Sequence, residues 1–327
     1  MPIVLLLLMF LPGCYVIKQG YNQMLMLYKA QPIEYALRDT KIDQETRRKL
    51  ELVLSLRKFA QEHVHLKIYN NYKDVSLDWQ KVMFNVSACE PLAFKPYEWW
   101  FPIIGHVPYK GFFNREDAKA EQIRLEKLGL EVQLSQIGGY SSLGFFADPL
   151  WPSMLKMNDY DLADLIFHEL LHSTIYIYNH TSFNESLASF VAKQASLAYF
   201  NNDIKVIKHY ENKDSYHHFF YNLYSDLETI YNNKNKHSEI LILKQEKLTE
   251  YQIKYQEKFK SNLNWQKVNN AFLMSFKRYN SNDANFLNLF NILDKDFSKF
   301  LNEIDAYARY QEPFLAIQER VKHWNKP

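Results

Sequence analysis

The sequence predicts an α+β fold that is predominantly α-helical, with one small β-sheet region. Glycine is scarce, at 8 of 327 residues, and none follows Gly144, whereas an all-β sandwich needs more glycine in its turns. β-Branched and aromatic residues concentrate between about 80 and 147, in a stretch that prolines interrupt. The C-terminal half keeps a 3.6-residue apolar period. We therefore expect a small sheet at about 80–147, packed against a helix of that half.

Composition narrows the class of protein further. The chain is 47% hydrophobic and 16% aromatic, which is enough to bury a large core and excludes a disordered chain. Its 39 basic and 37 acidic residues give a net charge of +2, and a nucleic-acid partner would require a basic excess. Two cysteines cannot form a disulfide framework.

The N-terminal part, 15–78, is predicted to be helical. Tyr21–Tyr28 and Asp43–Val64 show apolar residues three to four positions apart, as amphipathic helices do. The β-rich part, 79–149, contains predicted strands in the ranges 82–86 and 99–113.

One helix and one further strand complete the β-rich part. Asn114 can cap a helix that runs to Leu128, and Gly129 can end it. Leu130–Ile137 then alternates as a strand does. In the helical part, 150–327, Asn158 can cap a helix whose first turn holds Asp161. Residues 14–327 are predicted to form a single unit.

The N-terminus has the pattern of a targeting segment. Ile3–Leu11 is an uninterrupted apolar run, too short to cross a bilayer but as long as the core of a signal peptide. The sequence Leu11-Pro12-Gly13-Cys14 resembles the bacterial lipobox. This predicts a signal peptide over 1–13, a lipid on Cys14, and a place in the bacterial cell envelope, facing the periplasm. An ordinary cleaved signal or a buried N-terminal strand is the alternative.

Two histidines mark the predicted site of chemistry. His168-Glu169-Leu170-Leu171-His172 matches the H-E-x-x-H pattern within the helix that Asn158 caps. Histidines at i and i+4 project from one side of a helix, one turn apart, and two imidazole nitrogens can converge there on Zn²⁺. The sheet region is expected to pack against this helix.

A catalytic zinc needs a third protein ligand, and Glu185 is the best candidate. A polar turn and the start of a second helix lie between His172 and Glu185, so a helical hairpin would bring the carboxylate back beside the imidazoles. His180 is a competing ligand. Ser182 and Glu185 also have the spacing of a capping box, which is the alternative interpretation of this glutamate.

Glu169 is predicted to act as a general base. Its carboxylate would take a proton from the water that attacks a carbonyl and would pass that proton to the leaving amine. The prediction assigns zinc as cofactor and a peptide as substrate.

The zinc pattern and other stretches together resemble a known family. The stretches are His168–His172 with Phe183–Ser186, Trp99–Gly105, Val107–Phe113, Tyr140–Phe146 with Asp148-Pro149, and Asn269-Asn270-Ala271 with Tyr279. Nearly the whole chain thus resembles the predicted aminopeptidase family of bacterial lipoproteins, which are gluzincin-like zinc peptidases. The resemblance implies a zincin-like peptidase unit and a lipid anchor. Family members often carry cysteines where this chain has Trp100 and His106.

A peptidase also needs a donor for the oxyanion and a place for the substrate. Tyr140, His209, His217 and Tyr279 are candidate donors, and the resemblance places Tyr279 first. The segment before the zinc helix is suited to hold a peptide as an added strand; its predicted substrate-binding residues are Gly139, Tyr140, Ser141 and Ser142. A turn that packs two phenylalanines is the alternative.

The sequence therefore predicts a membrane-anchored zinc metallopeptidase, with an aminopeptidase suggested by the resemblance. The first alternative is a non-catalytic envelope lipoprotein with a structural zinc or a scaffold role. The second is a zinc amidase that acts on a non-peptide amide. Tyr15 stands where an aspartate often signals inner-membrane retention, so the outer membrane is preferred.

Overall fold

A computed structural model of the chain describes residues 13–79, 81–101, 105–137, 148–178, 180–233, 236–277, 283–307 and 310–324. Over these ranges, long helices dominate and the strands are short, so the predicted α+β fold with mostly α-helical content is confirmed. The first helices are α1 Gly13–Tyr28, α2 Ile33–Ala36, α3 Gln44–Glu62, α4 Arg115–Glu126, α5 Pro152–Leu155, α6 Asp159–His172 and α7 Thr181–Tyr199. The remaining helices are α8 Ile204–Asn232, α9 His237–Phe259, α10 Asn270–Lys277, α11 Asp283–Ile292, α12 Phe297–Tyr307 and α13 Pro313–Trp324.

Side-chain caps begin several of these helices, and the sequence predicts those of Asn114 and Asn158. The Asp43 carboxylate accepts from the Thr46 amide at 2.8 Å at the start of α3. Asn114 caps α4 and Asn158 caps α6 in the same way. Gly129 has a φ of +79° just after α4, a left-handed conformation that glycine adopts without strain. These ends follow from local hydrogen bonding, which explains why the sequence reveals them.

In the described residues, the strands form three small antiparallel sheets. The strands are β1 Gln31–Pro32, β2 Asp74–Val75, β3 Met83–Cys89, β4 Trp99–Phe101, β5 Gly105–Val107, β6 Lys110–Phe112 and β7 Glu131–Ile137. Strand β3 lies at the centre of a three-stranded sheet in the order β6-β3-β7, with Val86 opposite Leu134. Strands β4 and β5 pair separately, as do β1 and β2. The β1–β2 pair lies in the part that the sequence predicts to be helical.

The sheet packs against α4 and α10, whereas α6 packs chiefly against α3 and α7. Three apolar clusters fill the interior. The largest joins α1, α3, α6, α7 and the last three helices, a second lies among α8, α9 and α10, and a third lies between the sheet and α4. Met83 of β3 belongs to the largest cluster, so the sheet and α6 share one core. This core holds α6 and α7 side by side.

No helix in the described ranges is both long enough and apolar enough to span a bilayer.

Candidate metal centre

Helix α6 is fixed at its first turn and along its apolar face. The Asn158 side chain accepts from the Asp161 amide at 2.9 Å, and the first-turn carboxylates interact favourably with the helix dipole. Leu162, Ile166 and Leu170 are fully buried. These three residues define one buried face, and His168 and His172 share a different side of α6, where Glu185 of α7 meets them.

The C-terminal end of α6 is held by side chains from another part of the chain. The Asn71 amide donates to the Ser173 hydroxyl at 2.7 Å, and the Lys67 backbone N–H donates to the Thr174 hydroxyl at 2.9 Å. The Thr174 hydroxyl in turn donates to the carbonyl of Leu170 at 2.8 Å. These hydrogen bonds hold the last turn of α6, which carries His172, in a fixed position.

Asn184 fixes the turn between α6 and α7. Its buried side chain accepts from the Ile177 backbone N–H at 2.9 Å and donates to the Ile177 carbonyl at 2.8 Å. Helix α7 begins at Thr181 with His180 at the cap position. Ser182 is thus inside the helix, so the capping-box alternative for Glu185 is wrong. The Asn184 clamp places the next residue, Glu185, one helical turn inside α7 and beside α6.

The structure brings His168, His172 and Glu185 together. The Nε2 atoms of His168 and His172 are 3.1 Å apart. Glu185 Oε2 is 3.3 Å from His168 Nε2, and Glu185 Oε1 is 3.6 Å from His172 Nε2. This is the one cluster in the described ranges whose geometry suits a metal ion, and His180 is not part of it.

These separations suit a tetrahedral ion. Two ligand atoms that each lie 2.0–2.1 Å from a tetrahedral zinc are roughly 3.3 Å from one another, and the three observed distances lie around that value. Both imidazoles direct Nε2 at the same point, where a carboxylate joins them. Two imidazoles and a carboxylate form a typical donor set for catalytic zinc. The residues present therefore fit the ion.

The two histidines have different electrostatic surroundings. Burial lowers the pKa of His168, but the hydrogen bond and charge of Glu185, with the charges of Glu169 and Asp164, outweigh it, and the net pKa is raised. Burial first, then the charge of His168, lowers the pKa of His172 to about 4. A metal ion binds only unprotonated imidazole. His172 is thus held in the form that a metal requires, while the acidic groups around His168 favour a cation.

Glu169 directly follows His168 in the chain, and its charge acts on a buried tyrosine. The Oε2 atom of Glu169 is inaccessible to solvent. Tyr72 is fully buried, with a φ of +55°, and burial followed by the charges of Glu169 and Asp148 raises the pKa of its hydroxyl. The predicted general base therefore has one carboxylate oxygen that is shielded from solvent.

Asp164 connects α6 to α8 through a hydrogen bond and an ion pair. Asp164 accepts from the Tyr210 hydroxyl at 2.9 Å and from Lys213 Nζ at 2.5 Å. Asp164 lies one turn before His168 on α6, so these contacts fix the face that carries the histidine.

Two of the predicted oxyanion donors, His209 and His217, lie in the described residues. His209 Nε2 lies 3.1 Å from Asp161 Oδ1, two turns before His168. His217 is on α8, where its ring contacts Phe276 at 5.3 Å. Burial, then the charge of Lys213, lowers the pKa of His217. Tyr140 and Tyr279 lie outside the described residues, as do Gly139, Ser141 and Ser142, so their roles stay predictions. Cys14 lies in the first turn of α1.

Tyr176 is a neighbour of the site that the sequence analysis missed. Burial first, then the charge of Glu185, raises the pKa of its hydroxyl, and its side chain is partly exposed. In the turn before α7, buried isoleucines at 175 and 177 alternate with exposed tyrosines at 176 and 178. That alternation is visible in the sequence and was the available signal for an extended segment.

Comparison with known proteins gives one result. The family described as "Putative aminopeptidase" matches residues 14–314. No curated protein and no solved structure matches the chain.

Proposed function

We propose that this chain, which belongs to the family described as "Putative aminopeptidase", is a zinc-dependent peptidase. His168, His172 and Glu185 would hold the ion. The observation that carries the proposal is the convergence of two imidazole nitrogens and a carboxylate from α6 and α7. The N···N distance is 3.1 Å, and the two N···O distances are 3.3 and 3.6 Å. The Glu185 side chain is 25% exposed, and a catalytic zinc site would need access for a water molecule.

Zinc bound there would supply Lewis-acid chemistry, lowering the pKa of a water molecule and polarising a peptide carbonyl. The protein's own contribution is to hold and move the proton. Glu169, directly after His168 in the chain, would accept a proton from the attacking water through its carboxylate. The same carboxyl group would then deliver that proton to the nitrogen of the leaving amine, so that the free amine and the new carboxylate separate.

The substrate is proposed to be a peptide, and removal of N-terminal residues is proposed from the family description alone. Gly139, Tyr140, Ser141 and Ser142 are proposed to bind the peptide as an added strand. Tyr279 is the proposed donor to the oxyanion. Tyr176, which lies near Glu185, is a second tyrosine to be tested for this role.

The enzyme is further proposed to be a lipoprotein of the bacterial cell envelope that faces the periplasm, with the outer membrane preferred. Two sequence features support this location. They are the apolar run Ile3–Leu11 and the lipobox-like sequence that ends at Cys14. The family match also begins at Cys14.

Two glutamate variants test the catalytic proposal. Glu169→Gln should retain about one zinc per chain and lower kcat by about 10²–10⁴-fold, because only the proton acceptor is lost. Glu185→Gln should lose most of its zinc together with its activity, because one of the three proposed zinc ligands is lost. Glu211→Gln, at an exposed glutamate on α8, is the control and should match the parent in both respects.

Metal content is measured on purified protein, and cleavage is measured with a peptide library, with and without a chelator. A Glu169→Gln protein that keeps zinc and cleaves as fast as the parent would refute the mechanism. Stoichiometric zinc without any hydrolysis would favour the structural-zinc alternative. Cleavage of cell-wall amides without cleavage of peptides would favour the amidase alternative.

A further inference from the structure

Helix α1 presents an apolar stripe to solvent. Ile17, Tyr21, Met24 and Tyr28 are 65%, 66%, 61% and 88% exposed. Their spacing of four, three and four residues places them on one side of the helix, within an arc of roughly 60° at 100° per residue. On the opposite side, Met26 is fully buried. A soluble surface seldom arranges its apolar residues in such a continuous row.

Position 14 lies on the same side of the helix. Counting at 100° per residue, it extends the arc of the stripe to roughly 80°. Cys14 is the predicted site of lipid attachment, and the apolar run Ile3–Leu11 lies just before it in the sequence. Any group that brings residue 14 to a bilayer therefore brings the stripe to the same surface.

The residues around the stripe are those found at a membrane surface. Lys29 follows one edge of it, where an ammonium group can reach phosphates, whereas Lys18 on the same edge pairs with Asp117. The stripe itself contains Tyr21 and Tyr28, and tyrosine favours the interface between water and lipid.

Helix α1 is also tied to the rest of the protein. Lys18 Nζ lies 2.5 Å from Asp117 Oδ2 on α4, and Lys81 Nζ donates to Asn22 Oδ1 at 2.5 Å. The orientation of α1 on a surface would therefore set the orientation of the protein body.

We propose that α1 docks lengthwise on a phospholipid membrane, with Ile17, Tyr21, Met24 and Tyr28 in the interface. This goes beyond a lipid anchor, since an anchor alone tethers residue 14 and leaves the rest of the helix in water. It is also independent of the zinc chemistry, so either proposal can fail without the other.

The test uses environment-sensitive fluorescent labels at the far end of α1, about 21 Å along the helix from residue 14. The full chain carries Cys14→Ser, and single labels are attached to Tyr28→Cys or, as the matched control, to Lys29→Cys. These adjacent positions point about 100° apart. Cys89 is buried, and burial followed by the charge of Glu131 raises the pKa of its thiol to about 12, so it does not compete for the label.

On vesicles of phosphatidylethanolamine and phosphatidylglycerol, the label at 28 should brighten about threefold and be quenched by nitroxide lipids. The label at 29 should change much less. If the protein sediments with vesicles while both labels stay accessible to aqueous iodide, it is tethered only and the proposal is wrong. If the label at 28 is shielded before vesicles are added, another protein segment or a second copy covers the stripe, and the proposal is equally wrong.

Substitutions on the stripe provide the second arm. Tyr21→Asp with Met24→Asp should weaken the vesicle-induced change at 28 by about tenfold, because charged groups are excluded from the interface. The matched control, Ile242→Asp with Ile253→Asp, replaces two exposed apolar residues on α9 and should have no effect. Helical content and cleavage of a soluble peptide should be equal in all variants. An equal loss of vesicle binding in both pairs would contradict docking through α1.

Discussion

Two polar clusters join packed elements of this protein, and they differ in what completes them. The junction cluster, defined as Glu131, Lys244 and Asn270, ties the sheet to α9 and α10. The metal cluster, defined as His168, His172 and Glu185, ties α6 to α7. In the junction cluster, protein donors pair with protein acceptors. The metal cluster instead brings together two imidazoles and a carboxylate, which are groups that can bind a cation. The contrast separates a cluster that ties elements of the fold together from one that could hold a metal ion.

The junction cluster pairs each donor with an acceptor. Lys244 Nζ donates to Glu131 Oε1 at 2.5 Å, and the Asn270 backbone N–H donates to Glu131 Oε2 at 2.6 Å. The Asn270 side chain donates to the Glu90 carbonyl at 2.8 Å and accepts from the Tyr231 hydroxyl at 2.9 Å. Asn270 is fully buried. A buried network of this kind stabilises a fold when all its members are satisfied.

In the metal cluster, two imidazole nitrogens and a carboxylate face one point. Protons can neutralise that arrangement only in part, because burial lowers the pKa of His172 to about 4. A cation at the centre would interact with all three groups at once. The free energy of unfolding should therefore depend on zinc at this cluster and not at the junction.

The largest expected effect is stabilisation by zinc. Free zinc at about 1,000 times its Kd should raise the free energy of unfolding by about 4.1 kcal/mol, by mass action on the folded state. Urea unfolding with and without zinc measures this. Glu185→Gln should lose most of the increase, and Lys254→Met, at an exposed lysine on α9, should keep it. If zinc does not stabilise the parent protein, the prediction that His168, His172 and Glu185 bind zinc in the folded state is wrong.

The next largest effect concerns the junction. Lys244→Met should lower the free energy of unfolding by about 3 kcal/mol, because the Glu131 carboxylate then loses its buried counter-ion. The double variant Lys244→Met with Glu131→Gln should recover about half of the loss, since the unpaired charge is removed. Zinc content should be unchanged in both.

Lys254→Met is the control for this measurement. Lys254 pairs with Glu250 on the surface of the same helix, and such pairs contribute at most about 1 kcal/mol. If Lys244→Met costs no more than Lys254→Met, the junction is not the structural cluster that the contacts indicate.

The two clusters also differ in how far the sequence predicts them. His168, His172 and Glu185 lie within one helical hairpin, so the 3.6-residue period and the length of the turn bring them together. The caps Asn114 and Asn158 are local in the same sense.

The junction is not predictable in that way. Asn270 and Glu131 are 139 positions apart, and no local pattern reports their contact. The resemblance singled out Asn269 and Asn270 as family residues without giving them a role, and the structure supplies one. The β1–β2 pair was missed for a similar reason, because two-residue strands have no period and depend on their tertiary surroundings. Tyr176 was missed because its neighbour Glu185 belongs to a different element.

The smallest expected effect concerns the ion pairs that secure the start of α6. Asp159 lies 2.8 Å from Arg48 and 2.6 Å from buried Lys49, and the hydrogen bond from Arg48, which outweighs burial, lowers the pKa of Asp159 to about 2. A lowered pKa in the folded state gives stability that is present above the unfolded pKa of about 4. That stability is lost as the pH falls from 4 towards 2. After discounting for solvent screening, it amounts to about 1 kcal/mol.

Asp159→Asn should therefore be less stable than the parent by about 1 kcal/mol at pH 7, and the difference should shrink below pH 4. Unfolding in urea at several pH values measures this. Asp305→Asn, at an exposed aspartate on α12, should show no such difference. Zinc affinity at pH 7 should be the same in both variants, because the ion pairs of Asp159 support the start of α6, whereas the proposed histidine ligands lie about two turns further along it. A loss of zinc affinity in Asp159→Asn would show that the two kinds of cluster are coupled through α6.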